Sequence, residues 1–475
     1  MVMTEVTASP AGDVPTLRAV TRPLRELPDL LAYADPESPL FWNRGDRGCV
    51  GVGTVLRLTF SGPDRFLAGS RAWREIAARA TVDNPVDMPG SGLLAFGTFA
   101  FADDSASESV LIVPRLLIHR HRGMAWVTEV TLPGEEGALA RAEDPSEILP
   151  PARPLATADW PGVSLRAPEA ADALAGAVVG AGAVAGAVAG AVAGVAAPAK
   201  GISLAGSVTE AYLAGVREAT ARVVAGELEK VVLARQISGE LPAGADLRVP
   251  LGRLSERYLD CWTFAVDGLV GASPETLVRS TSGAVSARVL AGTRGRHSED
   301  AARDRAARDE LLRSAKEQHE HDFAVQSVVT ALAPHVSELR TSDAPFALQL
   351  PNVWHLATDL GAALGAESTA LELVDSLHPT AAVAGTPTVD AVAMIAELEP
   401  FDRGRYSGAV GWMDAAGDGE WVIALRCAQL GEPDASGARV LVATAGGGIV
   451  EGSDPQHELG ETVSKFRPIA EAFAR

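Results

Sequence analysis

Between Ala173 and Ala197 the chain is built from Ala, Gly and Val, with Leu174 as the one exception. A run of this length can cross a bilayer as a helix. Gly182, Gly186, Gly190 and Gly194 add the small-residue spacing that lets membrane helices approach closely. The physical chemistry nevertheless argues against a span. Alanine and glycine contribute little insertion energy, no aromatic belt flanks the run, and Asp172 and Lys200 stand close to its ends. The run therefore reads as an Ala/Gly-rich insertion, residues 173–200, joining two parts of a globular chain. No membrane association is expected. The opening MVMTEVTASPAGDVP lacks a basic n-region and an apolar h-region, so no signal peptide is expected and a cytoplasmic location is.

With 475 residues at 47% hydrophobic content, the chain has ample material for a large core. Its formal net charge of −20 argues against nucleic acid as a partner, because backbone phosphates need clustered Lys and Arg. A small anionic substrate stays compatible, since a local site can oppose the global charge. Cys49, Cys261 and Cys427 are far apart and odd in number, which indicates neither a disulfide framework nor a zinc site.

Residues 1–172 are strand-rich in pattern. VLIVPRLLIHR and MAWVTEV flank a short turn and predict an antiparallel hairpin over 110–120 and 124–130. From residue 201 onward helices alternate with strand groups. Thr209 to Glu229 has the period of an amphipathic helix, and VVLARQI follows as a strand. Glu299 to Ala333 reads as one long charged helix ended by Pro334, and Pro387 to Leu398 as another helix. YSGAVGWMD, EWVIALRCAQL and ARVLVATAGGGIV predict a three-strand meander, followed by a last helix from Pro455. The fold class expected is α+β with large antiparallel sheets. Neither GxGxxG after a strand nor GxxxxGK[ST] occurs, so a nucleotide-binding fold is unsupported.

Two helices carry paired carboxylates. Glu317 and Glu320 in KEQHEHDF lie three apart, as do Glu458 and Glu461 in QHELGETVSK, so each pair shares a helix face. His319 and His321 lie two apart, on different faces, and the segment is not HExxH. Four carboxylates facing one another would suit a hard cation such as Mg2+. On spacing alone, solvated helix charges are the better explanation, since exposed acidic pairs are ordinary on helices. Gly446 to Gly448 bring backbone N–H groups close to an anion or simply make a tight turn before the helix. Arg426, amid strand apolars, suits bidentate carboxylate recognition if it is not an edge residue. Lys230 opens an apolar strand and Glu275 follows Ser-Pro; singly, each reads as structural.

Taken in order, KVVLARQI, ASPETLV, AGTRGR, KEQHEHD, HPTAAVAGTP, DRGRYSGAVGW, ALRCA and AGGGIVEGSDPQHELGET resemble the chorismate-utilising enzymes, that is the anthranilate, aminodeoxychorismate, salicylate and isochorismate synthases. The likeness runs from Thr209 to the C-terminus and is loose over residues 1–172; the Ala/Gly-rich insertion has no counterpart in it. It implies a single large fold with two lobes of antiparallel sheet and outer helices, with residues 201–475 as the catalytic core. It implies Mg2+ on Glu320 and Glu461, with Glu317 and Glu458 holding it directly or through water. Gly292, Thr293, Tyr406, Arg426, Gly446, Gly448 and Lys465 would surround the substrate carboxylates, with His355 nearby. Lys230 would be the general base and Glu275 the general acid. Ammonia-using members carry a non-lysine residue at the place of Lys230, so water is the expected nucleophile and no glutaminase subunit is expected. Ala382 stands where anthranilate and salicylate synthases usually carry Thr. The wording resembles isochorismate synthases most, which implies interconversion of chorismate and isochorismate by a monomer, for menaquinone or siderophore biosynthesis.

Overall fold

The computed structural model describes residues 6–8, 15–167, 208–297, 299–349, 353–366 and 368–475. The expected insertion, residues 173–200, lies outside them. Among the described residues, twenty-one strands pair into one continuous sheet. One arm runs, in pairing order, through Lys230–Leu241, Arg439–Ile449, Cys427–Leu430, Leu269–Ser273, Trp262–Val266, Leu40–Arg44 and Arg47–Phe60, all antiparallel. The other runs from Ser109–His121 through Leu94–Thr98, Ala409–Asp414, Gly419–Ile423, Thr276–Thr281 and Ala284–Gly295 to Val353–Leu364. The long strands Arg47–Phe60 and Ser109–His121 join the arms, and a register shift between Thr54 and Leu56 bends their ladder.

Side-chain alternation decides what each arm buries. Trp42, Phe264, Ala234 and Cys427 of the first arm share one buried cluster with Phe96, Val410, Trp412 and Val422 of the second, so these faces pack on each other. The other face of the first arm receives Phe466, Ile469 and Phe473 of the C-terminal helix Pro455–Phe473, with Leu251 and Leu254 of the helix Arg248–Arg257. The second arm is covered in the same way by Phe66 and Trp73 of Arg65–Arg79 and by Leu371 and Val374 of Ala370–Leu377. Pairings such as Phe264 with Trp42 bind the N-terminal region into the same sheet as the C-terminal one.

The expected hairpin is present as Ser109–His121 and Met124–Thr131, turning through Arg122 and Gly123, both with positive φ. Two expectations need correction. The long charged helix is two helices, Ala301–Arg313 and Ala315–Leu332. Ser314 takes an extended conformation between them, ends the first, and caps the second by accepting the Glu317 N–H. The predicted meander also breaks. Gly419–Ile423 pairs with Ala409–Asp414 and Thr276–Thr281, whereas Cys427–Leu430 pairs with Leu269–Ser273 and Arg439–Ile449. EWVIALRCAQL is thus two strands, and Ala424 to Arg426 carry the chain from one arm to the other.

Candidate active site

Lys230 is placed by its strand partners. Thr386 pairs with it, Gly385 pairs with Val231, and the Val232 N–H donates to the Ala384 carbonyl at 2.8 Å. Gly385 has φ 142°, and any Cβ there would overlap the Lys230 carbonyl oxygen, so only glycine lets HPTAAVAG lie this close. From the next strand Gly448 faces the lysine stem: a Cβ on it would stand 2.7 Å from Lys230 Cε and 3.5 Å from Nζ. Glu275 sits after the break at Pro274. Its N–H donates to Ser273 Oγ (3.3 Å) and its carbonyl accepts from the Ile423 N–H (3.0 Å). Arg426 occupies the crossover with φ 49°, a left-handed conformation uncommon for an arginine, and its carbonyl accepts from the Ala272 N–H at 3.1 Å.

Electrostatics ties these residues into one group. Burial pushes the Glu275 carboxyl above the ordinary range, while Lys230 and Arg426 pull it back. His355 is pushed down by burial and by Lys230, against a hydrogen bond between Nδ1 and the Gly292 carbonyl at 3.3 Å. Lys230 therefore lies within electrostatic reach of both Glu275 and His355. Gly292, at φ 79°, forms a bulge where the register shifts opposite His355. A Cβ there would stand 3.1 Å from Glu317 Oε2, which puts the Glu317 carboxylate beside the same bulge.

The C-terminal helix carries the second group. Asp454 caps it and Pro455 opens it. Ligand atoms of His457, Glu458 and Glu461 all lie within 4.8 Å of one another. Lys465 Nζ donates to the Gly446 carbonyl (2.8 Å) and to Glu461 Oε2 (3.2 Å). Burial raises Glu458, its hydrogen bond from Ser453 Oγ (2.9 Å) lowers it, and the neighbouring Glu461 charge raises it again. A Cβ on Gly447 would stand 3.1 Å from Glu458 Oε2 and 3.8 Å from Glu461 Oε2. Since neighbouring strand residues face opposite ways, the Gly446–Gly448 backbone has the lysine against one face and the carboxylates against the other. Carboxylate oxygens at this separation form a hard donor set that fits a divalent cation of the Mg2+ kind.

The other expected residues are placed differently. The side chains of Thr293 and Glu320 lie outside the described residues. Ala382 is on an exposed turn. Tyr406 is buried and lines a cavity of about 790 Å³ together with Gln236 and Thr444. Gln236 is six residues along its strand from Lys230, roughly 20 Å at 3.3 Å per residue. The same cavity also reaches Cys427, the residue after Arg426. Gly447, His457 and Ser453 were not expected. His457 and Glu461 lie four apart on the helix, a same-face spacing that the sequence displays. Ser453 gave no such signal, because its role depends on how the loop folds back.

A half-buried acid within electrostatic reach of a lysine and an arginine, with a carboxylate cluster across a glycine strand, is an arrangement chemically suited to moving protons on an anionic substrate. The family follows from comparison. The chorismate binding enzyme family matches residues 15–144 and 197–474, and the chain belongs to that family. It is 40% identical over 276 residues to the isochorismate synthase DhbC of Bacillus subtilis, covering 56% of this chain and 68% of that protein. It is 31% identical over 467 residues to the salicylate biosynthesis isochorismate synthase of Pseudomonas aeruginosa, covering 95% and 88%. The solved menaquinone-specific isochorismate synthase MenF of Escherichia coli superposes with a TM-score of 0.68 at 24% identity, over 97% of each chain, a likeness of fold.

Proposed function

We propose that this protein is an isochorismate synthase, a Mg2+-dependent isomerase that interconverts chorismate and isochorismate. The observation that carries the reading is Lys230 and Glu275 within electrostatic reach of each other, with Glu275 pushed up toward its protonated form by burial. The relatives named isochorismate synthases support it. The reaction adds water at ring C2 and releases the C4 hydroxyl as water, so atoms balance. As general base Lys230 takes a proton from the incoming water, and Glu275, as general acid, gives one to the departing oxygen. Arg426 and Lys465 meet the substrate carboxylates, with the N–H groups of Gly446 and Gly448 at their side. Gly292, Thr293, His355, Tyr406 and Ala382 complete the surroundings. Glu317, Glu320, Glu458 and Glu461 would hold Mg2+, with His457 grouped with Glu458 and Glu461. When bound, the ion supplies positive charge that stabilises a substrate carboxylate as the ring double bonds shift.

We assign catalysis to residues 201–475, with residues 1–172 completing the sheet and residues 173–200 dispensable. Among the described residues no helix is long and apolar enough to cross a membrane. The reading places the protein in the cytoplasm as a monomer without a glutaminase subunit. The test is a product assay on chorismate with Mg2+, with and without ammonium. Chorismate and isochorismate should approach one fixed ratio from either side. Stoichiometric salicylate and pyruvate, or an aminated product formed only with ammonium, would refute the assignment.

A further inference from the structure

At the end of the sheet where Lys230 and Arg426 lie, a chain of net charge −20 gathers arginines. Arg44 and Arg47 come from one hairpin turn, between Leu40–Arg44 and Arg47–Phe60, and pair across it. Both guanidinium groups lie over the Trp262 ring, at 5.8 and 4.5 Å from its centroid. Arg47 and Arg279 reach the same oxygen of buried Glu420, Oε1, at 3.5 and 3.9 Å. Arg122, on the turn of the neighbouring hairpin, joins them around His121, which burial, Arg122, Arg47 and Arg279 together push toward its neutral form. Glu420 and the exposed Asp46 act on Arg47, and Asp260 acts with Arg44 on the Cys261 thiol. Neither Arg44 nor Arg122 has a carboxylate within ion-pair distance among the described residues.

Such a concentration of like charge costs stability unless something anionic is drawn to it. Its position indicates what. Cys261 is within electrostatic reach of both Arg44 and Arg426. The Arg44 strand lies beside Trp262–Val266, which lies beside Leu269–Ser273, which lies beside Cys427–Leu430, next to Arg426. Three steps at about 4.8 Å separate the arginine cluster from Arg426 by ~14 Å. We infer that Arg44, Arg47, Arg122 and Arg279 form a cationic rim that draws the dianionic substrate to this end of the sheet, ahead of its capture by Arg426. This rests on the proposed function, in that chorismate carries two carboxylates and approaches a protein whose acidic groups repel it.

The test is kcat and kcat/KM on chorismate across ionic strength. At 10 mM ionic strength the screening length is about 30 Å, longer than the path; at 0.15 M it is about 8 Å, shorter than the path. The variant pair is Arg44→Gln and Arg122→Gln, singly and together. They leave the Arg47–Glu420 contact in place, and either single variant suffices if the other folds poorly. The double variant should lose roughly 3- to 10-fold in kcat/KM at low salt, within the range of electrostatic steering. The loss should fade at high salt, with kcat unchanged. Arg313→Gln with Arg340→Gln removes the same charge from exposed positions elsewhere and should leave the salt profile unaltered. The rim is overturned if the Arg44/Arg122 profile stays parallel to the unaltered protein's, or if the control pair reproduces the loss. No turnover by the unaltered protein would overturn the proposed function and the rim with it.

Discussion

Replacing Gly448 by alanine tests the base directly, because the structure separates its effect on the site from its effect on the fold. Gly448 lies in the antiparallel ladder opposite Val232, so an alanine needs no unusual backbone. Its Cβ would stand 2.7 Å from Lys230 Cε, where carbon atoms prefer about 3.5–4.0 Å. The lysine terminus must therefore retreat by ~1 Å. A flexible stem makes that inexpensive for stability, and glycine replacement at a compatible site restricts the unfolded chain, worth about 0.4–1 kcal/mol. Chemistry is less tolerant: a displacement of about 1 Å costs on the order of 10²-fold in rate. Gly448→Ala should thus lose roughly 10²-fold in kcat with a melting temperature at or slightly above that of the unaltered protein. Gly446→Ala should behave in the opposite sense. Its Cβ would stand 2.6 Å from the Leu233 carbonyl oxygen, which is backbone and cannot swing away, so the fold itself should weaken. The assay is isochorismate formation at saturating Mg2+ beside thermal unfolding of both variants. A Gly448→Ala protein with unaltered kcat would show that the Lys230 terminus is not where the proton moves.

Four further outcomes are expected. Chelation should abolish turnover and Mg2+ restore it, and Glu458→Gln or Glu461→Gln should raise the Mg2+ requirement at least ~10-fold, the lower end of what loss of a metal-site partner costs, while Glu299→Gln should not; equal responses would mean solvated helix charges. Glu275→Gln should cost at least about 10²-fold in kcat; because burial raises the pKa of this carboxyl, its proton is lost as pH rises, and the high-pH fall in kcat/KM should vanish with it. Asp414, buried beside Asp418, is pushed up to about 7, so the folded state binds its proton more tightly than the unfolded chain does; its stabilisation is present at low pH and lost as pH rises toward and through 7, and Asp414→Asn should flatten that decline in a melting series from pH 4 to 8. Replacing residues 173–197 by a short Gly-Ser linker should preserve most activity, and a folded but inactive product would show that the segment serves the site.

What the sequence displayed and what it concealed divide along physical lines. Alternation over 110–120 and 124–130 gave a hairpin that the structure contains, because one face of each strand must be buried and the register follows from that. The break at Ser314 was hidden because Ala301–Arg313 and Ala315–Leu332 are both helical in period. The capping role of one serine shows only when its hydroxyl is seen to accept the Glu317 N–H. EWVIALRCAQL read as one strand because its apolar run has no Gly or Pro to interrupt it, and what divides it is a tertiary demand that the chain pass between arms at Arg426.

That division is also why the site is hard to read from composition. Lys230 and Glu275 each sit at a strand margin, Arg426 sits in a crossover, and the acids sit on two helices, Ala315–Leu332 and Pro455–Phe473. No single element holds two of the proposed roles for proton transfer. In the proposed site they converge because strand pairing and helix packing bring separate segments to one end of one sheet, beside arginines contributed by the N-terminal strands and by Thr276–Thr281. The proposed base Lys230 and the proposed substrate-binding Arg426 thus depend on pairings that cross the whole chain, such as Phe264 with Trp42 and Thr386 with Lys230. A change that loosens the N-terminal strands should therefore reach the catalytic rate through the position of Arg426, even though no residue before Gly201 is asked to touch the reacting atoms.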